Sequence, residues 1–314
     1  MGRLGVLGAG ALLGALGAAL YLALLTGSPG ALILVYLAQL PLFAAGLWLG
    51  VASAAAAGIT ACVAVLVAGG SVVSALFAAL YAAPVVLLVR QALLARNGPD
   101  GVLEWYPPGL LAAWLTALGL ALAAGATVFL GGPSGIESAL RDVLTPAVDR
   151  LATESGTSLE PLVSLAALMA PGAIAASWMV MTASNAALAQ GVLARFGAAW
   201  RPSPDLAALS LPIWPSALLA GAAAATAFGG TARFLGVNVL IVLWVPFCLA
   251  GLAVLHAVVR RLPRPHIPLA AFYVVAGLFG WPLLVVTLVG VLDAPLGLRR
   301  RFAPAGSIGG TIHD

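Results

Sequence analysis

The stretch Pro268–Arg301, PLAAFYVVAGLFGWPLLVVTLVGVLDAPLGLRRR, sets an interrupted apolar run against three consecutive arginines. Arg299, Arg300 and Arg301 act as topology anchors, because Arg-rich short loops stay on the cytoplasmic side of a membrane. If Pro268–Leu292 ran straight across, it would carry them to the opposite face. Two half-length helices meeting at Gly280-Trp281-Pro282 would instead return them to the cytoplasm. Broken helices at membrane depth are tolerated only where protein surrounds them or they line a cavity. The expectation is therefore a C-terminal broken or re-entrant hairpin.

The rest of the chain has the same character. Hydrophobic residues make up 62% of its 314 positions and charged residues only 8%, and the mean hydropathy is +1.11. A soluble domain carries about a quarter charged residues. Apolar segments long enough to cross about 30 Å of hydrocarbon recur throughout, without the short alternating pattern of a membrane β-barrel. The fold class expected is all-α, a polytopic transmembrane helical bundle and a single integral membrane domain over 1–314.

The expected spans are Leu4–Leu25, Ala31–Leu49 (containing Gln39-Leu40-Pro41), Val51–Ala68 after a tight hairpin at Gly50, and a fourth from Gly69-Gly70 to Ala95. These make a four-span N-terminal half, 1–95. The polar loop Arg96–Pro108, with its interfacial pair Trp105-Tyr106, leads to the C-terminal half, 109–302. There the spans are Gly109–Leu130, Pro161–Leu193 with a bend at Pro171-Gly172, Leu211–Phe228 and Phe234–Val259. Eight spans precede the broken segment. Trp214, between Pro212 and Pro215, anchors the start of the seventh at the membrane interface.

Between the fifth and sixth spans lies an external segment, 131–160. Ile136, Leu140, Leu144 and Leu151 fall near helical spacing there, with Glu137, Arg141, Asp142, Asp149 and Arg150 on the other face. That pattern fits a helix in the membrane interface, bent at Pro146. It equally fits a loop helix packing on its own protein.

All 14 basic residues are Arg, a composition that points to a GC-rich bacterial genome. With the N-terminus and Arg3 inside, Arg90, Arg96, Arg195, Arg201, Arg260, Arg261 and Arg264 all fall inside. Arg141, Arg150 and Arg233 fall outside. The hairpin then places both termini in the cytoplasm. The N-terminus reads as a retained first span in a bacterial cytoplasmic (inner) membrane, since no small-residue cleavage site follows a short apolar core. The net charge of +4 reports orientation and not nucleic-acid binding.

Ionisable residues inside spans cost several kcal/mol unless they are used, so they mark pumps and membrane enzymes. They are nearly absent here. HExxH, Walker, G-x-S-x-G and Cys/His ligand patterns are also missing, so no enzyme, cofactor or metal is expected. Cys62 and Cys248 read as small core residues, and His256, one turn before Arg260, as interfacial. Asp293 offsets part of the arginine charge that follows it.

The remaining deep polar residues are neutral. The sixth span carries Ser177, Thr182, Ser184, Asn185 and Gln190, with Ser177, Ser184 and Leu188 on one face and Met181 and Asn185 on the next. Asn185, Gln190, Asn238, Ser184 and Gln39 are the ligand-cavity candidates. Their alternative role is as hydrogen-bonding glue between helices. Ala11, Ala15 and Ala19, with Gly10 and Gly14 beside them, form a small-residue stripe suited to close helix contact, internal or with a docked partner.

Tyr36-Leu37-Ala38-Gln39-Leu40-Pro41-Leu42-Phe43 followed by Gly46 and Gly50 resembles the start of the YybS-like membrane proteins, a domain-of-unknown-function family. Asn185–Gln190 followed by Arg201-Pro202-Ser203-Pro204 and Leu211-Pro212-Ile213-Trp214 is similar too. So is the ending Gly290-Val291-Leu292-Asp293 with the arginine triplet. That family is distantly similar to the S components of energy-coupling-factor vitamin transporters, which dock to a shared transmembrane and ATPase module. The resemblance implies a ligand-binding subunit without its own ATPase, with the Ala stripe as docking face, although this chain has more spans than the six usual there.

Together these readings give a small-molecule-binding or transport-related membrane subunit. Its partners are the lipid bilayer and other membrane subunits or an ATPase module. The rival reading is a scaffold of the cell envelope with no ligand.

Overall fold

A computed structural model describes residues 2–98, 101–155 and 160–297. In chain order the first helices are α1 (Arg3–Leu22), α2 (Ala31–Tyr36), α3 (Gln39–Leu49), α4 (Val51–Phe77), α5 (Ala83–Ala92) and α6 (Pro108–Phe129). They are followed by α7 (Gly132–Ser155), α8 (Glu160–Arg195), α9 (Trp214–Ala225), α10 (Gly230–Val259), α11 (His266–Phe279) and α12 (Trp281–Leu296). A two-stranded antiparallel hairpin, β1 (Ala95–Asn97) with β2 (Leu103–Trp105), closes the loop after α5. Among the described residues six helical stretches are long and apolar enough to cross a membrane, and the bent pair α11–α12 makes a seventh if counted as one span.

Two compact units are present: Met1–Pro107 with Ser177–Pro204, and Pro108–Ala176 with Asp205–Asp314. The second part of α8 belongs with the first unit.

In the first unit α1 lies against α4 through glycines. A Cβ at Gly14 would collide with the Ala57 backbone oxygen, and one at Gly17 with the Leu42 side chain. Such approach lets dispersion contacts bind helices where no hydrophobic force operates. The stretch Val51–Ala92 is 42 residues, about 63 Å if straight and twice the hydrocarbon thickness. It doubles back instead. Gly70 sits at φ 83°, a left-handed conformation open to glycine. Beyond it the Ser74 hydroxyl donates to the Cys62 oxygen at 2.8 Å, while Gly58 faces Ala82. Tyr21, Phe77 and Tyr81 close the bundle with ring centroids 4.9–5.2 Å apart. The outer surface is apolar as well, with Ile59, Val63 and Val67 exposed at mid-helix positions, as in lipid-facing surfaces.

In the second unit α10 is the central helix. α9 packs on it where Gly236 meets the Ala222 oxygen. α12 crosses it with backbones nearly touching, since a Cβ at Gly290 would strike the Phe247 oxygen and one at Gly251 the Val286 oxygen. The segment Pro268–Leu292 is broken as its sequence indicates. α11 and α12 meet at Gly280 (φ 69°) with a bend of 116°, so α12 turns back past the perpendicular. The arginine triplet lies outside the described residues.

Three expected segments take a more definite form. The span Ala31–Leu49 is split into α2 and α3, because Pro41 has no N–H for the Leu37 oxygen and the ladder reorganises at Leu37–Ala38. Over Leu211–Phe228 only α9 is helical, 12 residues long, about 18 Å and too short to cross alone. Prolines at its start and glycines 229 and 230 at its end bound it. The segment expected outside the membrane forms the helix α7, whose Ile136 is buried with Ala167 and Phe234 while Leu140 packs against them, one of the two arrangements its pattern allowed. That face rests on its own unit. The side chains of residues 144–155, including Leu144, Asp149, Arg150 and Leu151, lie outside the described residues.

Gly290→Leu is expected to unseat α12 from α10 and destabilise the purified protein by about 1–3 kcal/mol. Gly125→Ala, where an added Cβ meets nothing within 4 Å, should leave the melting temperature in detergent unchanged or slightly raised.

Candidate functional site: amide side chains at helix breaks

Backbone carbonyls released inside an apolar layer need a donor, because no water reaches them. In the first unit two such breaks lie side by side. Where α2 ends, the Leu40 N–H turns to the Leu37 oxygen, and the Tyr36 oxygen instead accepts from Asn185 Nδ2 at 2.6 Å. The same nitrogen donates to the Met181 oxygen at 2.8 Å. The second break is the π-helical turn Ala78–Ala82. Pro84 has no N–H to offer the Leu80 oxygen one turn earlier. That oxygen accepts from Gln39 Nε2 at 3.0 Å and from Trp178 Nε1 at 2.8 Å.

In the second unit Asn238 plugs the break made by Pro171. Its Oδ1 accepts from the Gly172 N–H at 2.6 Å, and its Nδ2 donates to the Leu168 oxygen at 2.9 Å and to the Phe234 oxygen at 2.8 Å. The amide thus bridges Leu168 and Gly172 on either side of Pro171, which has no N–H for the Ala167 oxygen. Gly172 permits this, because a Cβ there would come within 2.8 Å of the Asn238 backbone oxygen. Asn238 uses both its donors and its acceptor.

The first unit differs. Gln39 (0% exposed), Thr182 (0%) and Asn185 (2%) are fully buried. Gln39 Oε1, Thr182 Oγ1 and Asn185 Oδ1 nevertheless have no hydrogen-bond partner. Leaving such a group unsatisfied costs about 1–3 kcal/mol, and three belong to one helix interface.

The other candidates have simpler surroundings. Ser184 is exposed, on the outward face with Ser177 and Leu188. Gln190 is buried and donates to the Arg201 backbone oxygen at 2.8 Å. The Arg201 guanidinium, in a residue only 5% exposed, donates in turn to the Ala92 oxygen at 3.0 Å. It caps the C-terminal end of α5, where a cation suits the helix dipole. Burial pulls its pKa below the ordinary value, and it remains a cation. On α1 the buried face is Gly10, Gly14, Gly17 and Ala18, whereas Ala15 and Ala19 are exposed and Ala11 is half-buried. Trp214 is the first residue of α9 and half-buried.

Trp178, the Leu80 carbonyl and buried Arg201 did not stand out in the sequence as members of these arrangements. Pro84 and Pro41 were the available signals, since a proline withholds an N–H from the helical ladder and leaves a nearby carbonyl needing a donor. The described residues also include an open groove of about 620 Å³ beside the start of α10. It is lined by Glu137, Ser164 and Arg233 among others, and Glu137 is ion-paired with Arg141. Among the described residues no His, Cys, Asp and Glu group has a metal-holding arrangement.

Arg260 and Asp205 form an ion pair at 2.7 Å. The hydrogen bond from Arg260 holds the Asp205 carboxyl below its ordinary pKa, assisted by the Ala207 N–H. A folded-state pKa below the unfolded one makes this contribution present above about pH 4 and lost as pH falls through the folded value.

No family model, curated protein or solved structure matches the chain.

Asn238→Leu strands the Gly172 N–H and the Leu168 oxygen. It should lower stability in detergent by about 0.6–1.7 kcal/mol, the range for polar contacts between membrane helices, whereas Ser184→Ala should have no effect. The acid-sensitive part of hydrogen-exchange protection around residues 205–209 should vanish in Asp205→Asn.

Proposed function

We propose that this chain is a multi-pass protein of a bacterial cytoplasmic membrane that binds a small polar ligand, as a transport-related subunit without an ATPase of its own. The observation that carries this reading is the set of buried, unpartnered oxygens on Gln39, Thr182 and Asn185. Asn238 gives the contrast, since its amide, bridging two helices, uses both its donors and its acceptor. Other membrane subunits or an ATPase module would supply the energy.

The topology within this proposal has both termini in the cytoplasm and eight crossings before the bent pair. The hairpin at Gly70 makes two crossings of Val51–Ala92. The Arg260–Asp205 pair supports another. It holds the start of the α9 segment at the end of α10 where Arg260 sits, whereas α10 begins 30 residues away at Gly230. The chain between Asp205 and Gly230 must therefore travel the length of α10. The short α9, the turn Leu206–Ala208 and the extended residues around them make that journey together.

Native mass spectrometry of the purified protein tests the ligand reading. A bound small-molecule mass, lost in Thr182→Val, is expected. A protein free of such a mass that brings down other membrane proteins supports the scaffold instead. For topology, single cysteines replacing Arg264 and Leu296 in a Cys62→Ala/Cys248→Ala background should label from the same, cytoplasmic side. Labelling from opposite sides would establish a straight crossing.

A further inference from the structure

We infer that Gln39 Oε1, Thr182 Oγ1 and Asn185 Oδ1 form a binding site for a monovalent alkali cation, with sodium as the ion to test; this rests on the small-ligand reading above. The two amide orientations are fixed by their surroundings. Asn185 Nδ2 faces two carbonyl oxygens and Gln39 Nε2 faces a third. Turning either amide over would set oxygen against oxygen. The two unpartnered amide oxygens are therefore acceptors, held in place by the bonds on the nitrogen side, and the Thr182 hydroxyl oxygen can accept or coordinate as well.

The three residues share one interface. Trp178, Thr182 and Asn185 lie four and three residues apart, on one buried face of α8. One end of that face is tied to Gln39 through the Leu80 oxygen, which Trp178 and Gln39 both reach. The other end is tied to Tyr36, one turn before Gln39, through Asn185. Thr182 lies between these two ties.

Neutral oxygens without a carboxylate suit a monovalent cation, whereas calcium and magnesium sites draw on carboxylates. Interrupted helices that expose carbonyl oxygens beside such side chains are the usual membrane setting for a coupling sodium ion. The Tyr36 and Leu80 breaks lie beside these side chains, but their carbonyls already accept from amide and indole N–H groups, so the side-chain oxygens are the ones left for an ion. The Thr182 hydroxyl proton can serve only one of the acceptors, so the set still lacks positive charge.

Thermal unfolding of the detergent-purified chain in sodium chloride, with choline chloride holding ionic strength constant, tests the site. Sodium should raise the melting temperature saturably by at least about 2 °C. Thr182→Val removes one oxygen with little change of shape and should abolish the increment, while Thr182→Ser keeps it. Equal melting temperatures in the two salts overturn the inference, as does an undiminished increment in Thr182→Val. Sodium NMR on the wild-type chain gives a readout independent of any variant, and line broadening no greater than that from empty micelles also overturns it. A co-purifying organic mass without a sodium response overturns the cation alone and leaves the ligand reading standing.

Discussion

The proline-marked breaks at Tyr36, Leu80 and Pro171 are governed by one constraint: a backbone carbonyl released inside an apolar bundle must find a donor within the bundle. Pro41, Pro84 and Pro171 each remove a rung from a helical ladder. The donors near the breaks are neutral side chains, Asn185 at Tyr36, Gln39 and Trp178 at Leu80, and Asn238 at Leu168. Neutral amides suit this task because they bring hydrogen bonds without the cost of a buried charge. The buried guanidinium of Arg201 is the instructive exception. It meets the carbonyl end of α5, where the helix dipole favours a cation.

A second constraint, closeness, determines which sequences can meet the first. The Asn238 amide reaches the α8 ladder because Gly172 leaves space for it. The same economy of atoms joins α1 to α4 at Gly14 and α12 to α10 at Gly251 and Gly290. Small residues thus set the distances between helices, and amides seal the irregular places that remain. The flexible positive-φ glycines have a different task, reversing the chain at Gly70 and redirecting it at Gly280.

Much of the fold was legible in the sequence because membrane spans announce themselves by length and apolarity. The reversals at Gly50 and Gly69-Gly70 and the break at Gly280-Trp281-Pro282 were readable from punctuation residues alone. The seventh segment was not. Its apolar residues run from Leu211 to Phe228, yet prolines at one end and glycines at the other leave only 12 residues helical. Hydropathy measures affinity for lipid and does not register the backbone. The Ala11, Ala15 and Ala19 stripe shows a related limit. Alanine and glycine both count as small, but the α1–α4 crossing is so tight that the buried face is mainly glycine.

The candidate site exposes a deeper limit. Asn185 and Asn238 are the same residue type at similar depth, each donating twice to carbonyl oxygens. Sequence treats them alike. Their difference lies in the third valence. Beside Asn238 the proline is followed by a glycine whose N–H is free to turn, so Oδ1 is satisfied and the amide is complete as a structural plug. No such N–H meets Asn185, and its oxygen stays without a donor, as do those of Gln39 and Thr182. A bundle that needed only glue would gain by replacing Thr182 with valine, since the hydroxyl makes no bond and its burial costs about 1–3 kcal/mol. The nitrogen sides of Gln39 and Asn185 repay their burial by capping carbonyls, whereas the Thr182 hydroxyl has no such return, and its burial is the cost that the proposed cation would offset.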